Sequence, residues 1–301
     1  MAKLEENRYG KSRVRLARVK RHATHNNFHE WNVEILLQGD FASCFEAGDN
    51  RRILPTDTMK NTVYSVARNS AAQTIEGFAM ELSAFLISRN PQITAAEVTV
   101  TEKPWDHLPL HGQPHPTTFI QNSTERHTTT VLQKQSGHSP PSDGQKSQRK
   151  RKLTIVSGLQ NLVIMKTADS AFSGYIKDSL TTLPESQDRL FGTAVWSRWT
   201  YSPAAFDFAA LRRQIREELL DVFATHKSAS VQHTLYAMAE RVLQKVSAVE
   251  DITLRMPNLH CLPVDLARFG QDNPNEIFVP IDEPHGYIEA RISRAGTSGK
   301  G

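Results

Sequence analysis

The residues that can do chemistry lie in short, well-separated stretches. Lys11 stands in Tyr9-Gly10-Lys11-Ser12, ahead of a strand-like segment. An ammonium in a poorly hydrated site loses proton affinity and can serve as a base; a solvated surface lysine is the alternative. Residues 53 to 68 begin as a loop and end as a helix. Pro55 cannot continue a strand ladder, Thr56, Asp57 and Thr58 are capping types, and Met59, Val63 and Val66 repeat at helical spacing. Such a helix start can offer free N–H groups and the dipole to an anion or a polarised ligand, or it can simply cap itself.

Further along, Phe172 in Ala-Asp-Ser-Ala-Phe-Ser-Gly-Tyr can stack on a flat heterocycle or join the core. Arg189 can grip a carbonyl oxygen and an adjacent anionic nitrogen in one fork, or form an ion pair with Asp188 or another acid. Gln232, next to Val231, carries an amide that matches a lactam edge, or faces solvent in a first helical turn. Asn258 and His260 share one side of a strand and can position a small polar oxygen species and relay protons; a plain polar pair at a strand end is the alternative. The run His22, His25, His29 has zinc-like spacing, but no Cys or carboxylate completes an obvious ligand set. Gly-rich phosphate loops and Gly-x-Ser-x-Gly elbows are absent.

Periodicity supplies the elements that must carry these residues. Residues 12 to 21 read as a strand, and in 29 to 39 Trp31, Val33, Ile35 and Leu37 alternate with polar residues. A turn-rich stretch, 39 to 52, leads into the helix after Pro55. A second helix over 72 to 88 has the stripe Ile75, Phe78, Ala79, Leu82, Phe85, Leu86, and Asn90-Pro91 ends it. Strands are expected at 95 to 103 and, as one long Thr-rich piece, at 116 to 134. After a basic, polar stretch the order repeats: strands at 152 to 166 and 193 to 201, a helix capped by Ser202-Pro203, a helix opened by Ser230, then strands near 250 to 257, 276 to 281 and 286 to 293. The expected fold class is α+β, with modules at 8–135 and 152–295 joined by a linker at 136–151. Lys60–Ala67 and Gln232–Ala239 echo each other, which adds a little to the case for duplication. Antiparallel sheets with helices on one face leave the other face open, so a homo-oligomer is expected.

Composition narrows the class. The chain has 301 residues, 39% hydrophobic and 23% charged, with no apolar run of membrane-spanning length. The net charge of +4 sits largely in Lys11–Arg21 and Gln145–Lys152, with no interleaved aromatics for base stacking, so neither nucleic acid nor membrane is an expected partner. Two distant cysteines, Cys44 and Cys261, suit a reducing compartment. The N-terminal residues lack an apolar h-region and the C-terminus lacks a peroxisomal tripeptide, so a cytoplasmic location is expected.

Taken together, Tyr9-Gly10-Lys11, Pro55-Thr-Asp-Thr-Met-Lys-Asn-Thr-Val-Tyr64, Phe172-Ser-Gly-Tyr175 with Thr181-Thr-Leu-Pro-Glu-Ser-Gln-Asp-Arg189, Ser230-Val-Gln-His-Thr-Leu-Tyr236 and Met256-Pro-Asn-Leu-His260 resemble urate oxidase (uricase) of bacterial type. They stand in family order over about residues 9 to 292. The resemblance implies the tunnelling fold: tandem modules, dimers closing a barrel, and a homotetramer with active sites between subunits. It implies oxidation of urate by dioxygen and water to 5-hydroxyisourate and hydrogen peroxide, without metal or organic cofactor. By motif, Lys11, Thr56 and Asp57 would come from one chain, and Phe172, Leu183, Arg189, Val231, Gln232, Asn258 and His260 from its neighbour. Lys11, Thr56 and His260 would form the proton relay, and Asn258 with Thr56 would hold the oxygen species. Another tunnelling-fold enzyme of purines or pterins, with zinc at the three histidines, and a non-catalytic purine-binding protein are the alternatives.

Overall fold

The computed structural model describes residues 2–135, 151–202, 207–281 and 283–294. The linker expected at 136–151 lies outside them except for Arg151, as does Pro203 of the expected cap. The described chain divides into two compact units, with the boundary between Gly158 and Leu159.

The first unit builds an antiparallel sheet in the order β1 (Tyr9–Arg21), β2 (Asn26–Gly39), β3 (Ile93–Lys103), β6 (Arg126–Gln135). The alternation of β2 decides which face is covered: Trp31, Val33, Ile35 and Leu37 are all buried, at 1% exposure or less. Helix α2 (Thr56–Asn69) packs on β1, and α3 (Ile75–Arg89) on β3 and β6. Thr74 caps α3, its Oγ accepting from the Gly77 N–H at 3.2 Å. The expected stripe of α3 is buried except at Phe85, which lies part-exposed under the Arg89 guanidinium.

Three expectations change in this unit. The turn-rich stretch holds a short helix, α1 (Ala42–Ala47). The long strand at 116 to 134 is two strands, parted at 121–125, and Pro109, Pro114 and Pro116, which cannot donate to a central ladder, lie before the break. The prolines instead belong to a separate hairpin, β4 (Asp106–Leu110) and β5 (Gln113–Ile120), turned at His111 and Gly112 with φ of 52° and 79°. Finally, Thr56 does not cap α2. Pro55 occupies the cap position with no side-chain bond, and Thr56 is the first helical residue.

In the second unit β8 (Phe191–Tyr201) pairs with both β9 (Val249–Arg255) and β10 (Asn258–Pro263). β12 (Glu289–Ser293) adds to β9, and β11 (Phe278–Ile281) to β10. Val195, Trp199 and Tyr201 of β8 are buried as the alternation requires. The described part of the next helix, α4, spans Phe208–Thr225. Helix α5 (Val231–Lys245) buries Val231, Leu235, Met238, Ala239 and Val242 and packs on β9 and β12. Pro257 separates β9 from β10, so Asn258 and His260 open a strand of their own rather than end one. The late strands are shorter than expected. The echo at 60–67 and 232–239 joins the first long helix of one unit to the second of the other; these are not equivalent places, so it reflects shared helix chemistry. The fold class is α+β. β7 (Arg151–Lys166) contains the boundary between the units. Among the described residues no helix is long and apolar enough to cross a membrane.

The histidine run does not converge. His22 and His25 stack on each other at the β1–β2 turn, with centroids 4.6 Å apart. His29 instead faces the core, its Nδ1 3.0 Å from Glu102 Oε1. Trp31 Nε1 donates to the same oxygen at 2.9 Å, and His127 Nδ1 lies 3.4 Å from the other. Among the described residues no group of three or more His, Cys, Asp or Glu is arranged to hold a metal ion. Burial alone would raise the Glu102 carboxyl; the bonds from His127, His29 and Trp31 outweigh it and hold it far below its ordinary value of 4.5. A carboxyl depressed by folding stabilises the protein above its unfolded value and loses that contribution as pH falls below it. Glu102→Gln is expected to cost about 3 kcal/mol at neutral pH. It is also expected to flatten the loss of melting temperature below about pH 4.5, which thermal melts across pH would check.

Candidate functional site

In the first unit, backbone fit brings Lys11 to the start of α2. Gly10 is forced by proximity: a Cβ there would lie 1.7 Å from the Ile35 carbonyl oxygen. Tyr9 packs its ring edge-on against Phe41, centroids 4.8 Å apart. Its hydroxyl donates to the Leu54 carbonyl at 3.1 Å and accepts from the Leu54 N–H at 2.8 Å. The pairing of β1 shifts register directly after Lys11, with Arg13 at φ 58°. Lys11 is partly buried, and its charge reaches the Asp57 carboxyl. Lys60, through a hydrogen bond and its charge, holds that carboxyl below its ordinary range, with Asn61 and Lys11 adding to the effect. The Asp57 side chain is thus engaged along its own helix. What α2 turns outward is the exposed Thr56 hydroxyl and the N–H groups of an uncapped first turn.

In the second unit one short backbone segment, Asp169 to Phe172, gathers the candidates. On one side Phe172 exchanges both backbone bonds with Ser186, at 2.8 and 3.0 Å, and the Arg189 N–H donates to the Ser170 carbonyl at 2.8 Å. On the other side Ser228 bonds Asp169 and Ala171, at 2.9 and 2.7 Å, and its hydroxyl donates to the Ser230 carbonyl at 3.0 Å. Ser230 then caps α5, accepting from the His233 N–H at 3.1 Å. The N–H groups of Val231 and Gln232 have no intrahelical partner in that first turn. Phe172, Arg189 and the Val231–Gln232 helix start are therefore fixed to a common strip. Leu183 is half-exposed in the intervening loop; its carbonyl accepts from the Tyr175 hydroxyl, and the Tyr175 ring stacks on Phe172 at 4.8 Å.

The Arg189 guanidinium lies over the Phe172 ring, 5.1 Å from its centroid. The expected alternative, an ion pair with Asp188, does not form. Asp188 turns its carboxylate to the Ser170 N–H at 3.2 Å. Burial presses the Arg189 guanidinium below its ordinary value, and its Nε is buried with no hydrogen-bond partner. Asn258 and His260 do meet: the amide nitrogen lies 3.2 Å from the ring Nδ1. An NH2 group only donates, so this orientation of the amide matches the tautomer in which Nδ1 accepts and Nε2 carries the proton.

Sequence reasoning missed the contributions of Tyr9, Ser170, Asp188 and Ser228. Tyr9 carried a signal, since it lies two residues before Lys11 and therefore on the same strand face. The other three act through bonds to distant backbone groups, Asp188 with its carboxylate and Ser170 and Ser228 with their main chain, which no local pattern of residue types marks.

Fold and side chains define a two-unit α+β protein, one unit carrying a lysine against an uncapped helix start, the other a cation over an aromatic ring beside a second helix start. A family model described as uricase matches residues 7–132 and 155–289. A uricase of Dictyostelium discoideum is 34% identical over 299 residues, covering 98% of this chain and 99% of its own. One from Arthrobacter globiformis is 35% identical over 294 residues, covering 98% of this chain and 91% of its own. The crystal structure of the uricase from Arthrobacter globiformis matches with a TM-score of 0.88 at 34% identity, over 100% of this chain and 98% of that one. The chain belongs to the uricase family.

Proposed function

We propose a division of labour by which this urate oxidase binds and oxidises urate. The observation that carries the reading is Arg189: a part-buried guanidinium over an aromatic ring, with no acidic partner among the described residues and an unbonded Nε. Urate is flat, anionic and edged with lactam groups. Phe172 stacks on it with Leu183 at its rim, Arg189 takes one anionic edge, and Gln232 with the Val231 N–H takes the opposite edge. The clamp fixes orientation and favours a further deprotonated, electron-rich urate.

Such an anion is itself the reductant, and we read the reaction as needing neither metal nor organic cofactor. Two electrons pass from urate to dioxygen, which leaves as hydrogen peroxide. Water adds its oxygen to the purine, giving 5-hydroxyisourate. Lys11, Thr56 and His260 move the protons, Thr56 and Asn258 hold the oxygen species, and Asp57 contacts the purine through its backbone N–H. The Asn258 bond to His260 Nδ1 supports the relay, because it leaves Nε2 to exchange a proton. By the family resemblance, Lys11, Thr56 and Asp57 come from one subunit of a homotetramer and the remaining seven residues from its neighbour, with no nucleic acid or membrane partner. Two unpaired cysteines accord with a cytoplasmic location.

Absorbance at the ultraviolet maximum of urate, followed with and without oxygen, tests the activity: decay is expected only with oxygen, and its absence under air overturns the reading. Arg189→Ala is expected to weaken urate binding on the order of a hundredfold, as loss of a charge-assisted fork should; unchanged affinity removes it from the clamp. Lys11→Met is expected to lower kcat on the order of a hundredfold or more with a small change in KM, since proton transfer rather than binding is lost.

A further inference from the structure

The Tyr9 hydroxyl makes an unusual pair of bonds. One phenol satisfies both the N–H and the C=O of Leu54, at 2.8 and 3.1 Å. The next residue, Pro55, has no N–H and stands at the cap position of α2 without a side-chain cap bond. The place where α2 begins is therefore set from outside the helix. Tyr9 is held in turn by the edge contact with buried Phe41 and by Gly10, which lets β1 press against the Ile35 carbonyl. Tyr9 and Lys11 lie two residues apart on one strand, so movement of either is shared. Burial raises the Tyr9 phenol above its ordinary value, with Cys44 contributing and the Leu54 bond opposing, so it remains a neutral group that donates and accepts.

We propose that Tyr9 is a positioning residue of the urate-oxidising site: its hydroxyl fixes Leu54, and thereby holds the Thr56–Asp57 helix start at a set distance from Lys11. The proposal rests on the reading of Lys11 and Thr56 as proton-relay groups. Tyr9 touches neither substrate nor oxygen; it spaces the groups that do. Its loss should therefore appear in turnover, through Thr56, and leave the urate clamp of the other unit intact.

The test is a double-mutant cycle of Tyr9→Phe and Thr56→Ala in the full-length protein, with thermal melting and particle size as folding controls. Tyr9→Phe keeps the ring on Phe41 and removes only the hydroxyl. It is expected to lower kcat on the order of tenfold, with a smaller rise in KM for urate through the displaced Asp57 N–H. Added to Thr56→Ala it should lower kcat little further, because the two act as one unit. Phe41→Leu, which loosens the ring that aims the hydroxyl, should give the same signature more weakly and serves should Tyr9→Phe not fold. If Thr56→Ala alone leaves kcat unchanged, the relay reading of Thr56 fails, and the proposal with it. If Thr56→Ala is impaired but Tyr9→Phe has full turnover, raises KM instead, or multiplies independently with Thr56→Ala, the positioning role alone is overturned.

Discussion

A guanidinium with no counter-charge among the described residues is the constraint around which the second unit is arranged. Burying part of a guanidinium with an unbonded Nε costs stability unless something anionic completes it. The obvious neighbour, Asp188, is turned away and spends its carboxylate on the Ser170 N–H. That bond also fixes the strip from Asp169 to Phe172, on which Arg189, Phe172 and the start of α5 all depend. Removing the acid from the cation and using it to stiffen the backbone are one structural choice.

The first unit solves the opposite problem. Its acid, Asp57, is neutralised along the helix by Lys60 and Asn61, which leaves the backbone of the first turn as the polar surface on offer. Glu102 shows how the same unit treats a carboxylate meant to stay inside: Trp31 and two histidines meet its two oxygens. The contrast separates groups that are complete within the chain from groups left open.

Much of this was legible in the residues. Alternation in β2 named the four buried residues correctly, and the helical stripe of α3 fell on the core with Phe85 as an exception. These patterns are readable because burial imposes its period directly on side-chain type. The same-face placement of Asn258 and His260 followed from the strand period and became a 3.2 Å contact. The break at 121–125 between β5 and β6 was lost because threonines stand on both sides of it. The cap of α2 was misassigned because Thr and Asp are common caps, while the group that fixes this helix start lies 45 residues away in Tyr9. The family resemblance tied the motifs together, whereas spacing alone left an ordinary alternative open at each. No local pattern shows that Asp188 spurns its neighbouring arginine; that outcome depends on where Ser170 arrives.

The vacant cap of α2 has a consequence for attempts to strengthen the protein. A helix start lacking a capping side chain is an inviting target, since a good cap adds about 1 kcal/mol. At this position the added acceptor would take the N–H groups that the first turn otherwise keeps open. Under the proposed function, thermostability and ligand contact would compete here for the same donors, and Pro55, which offers no acceptor and has a fixed backbone angle, leaves them open. Robust variants of this chain are better sought in its closed elements than at the residue that precedes Thr56.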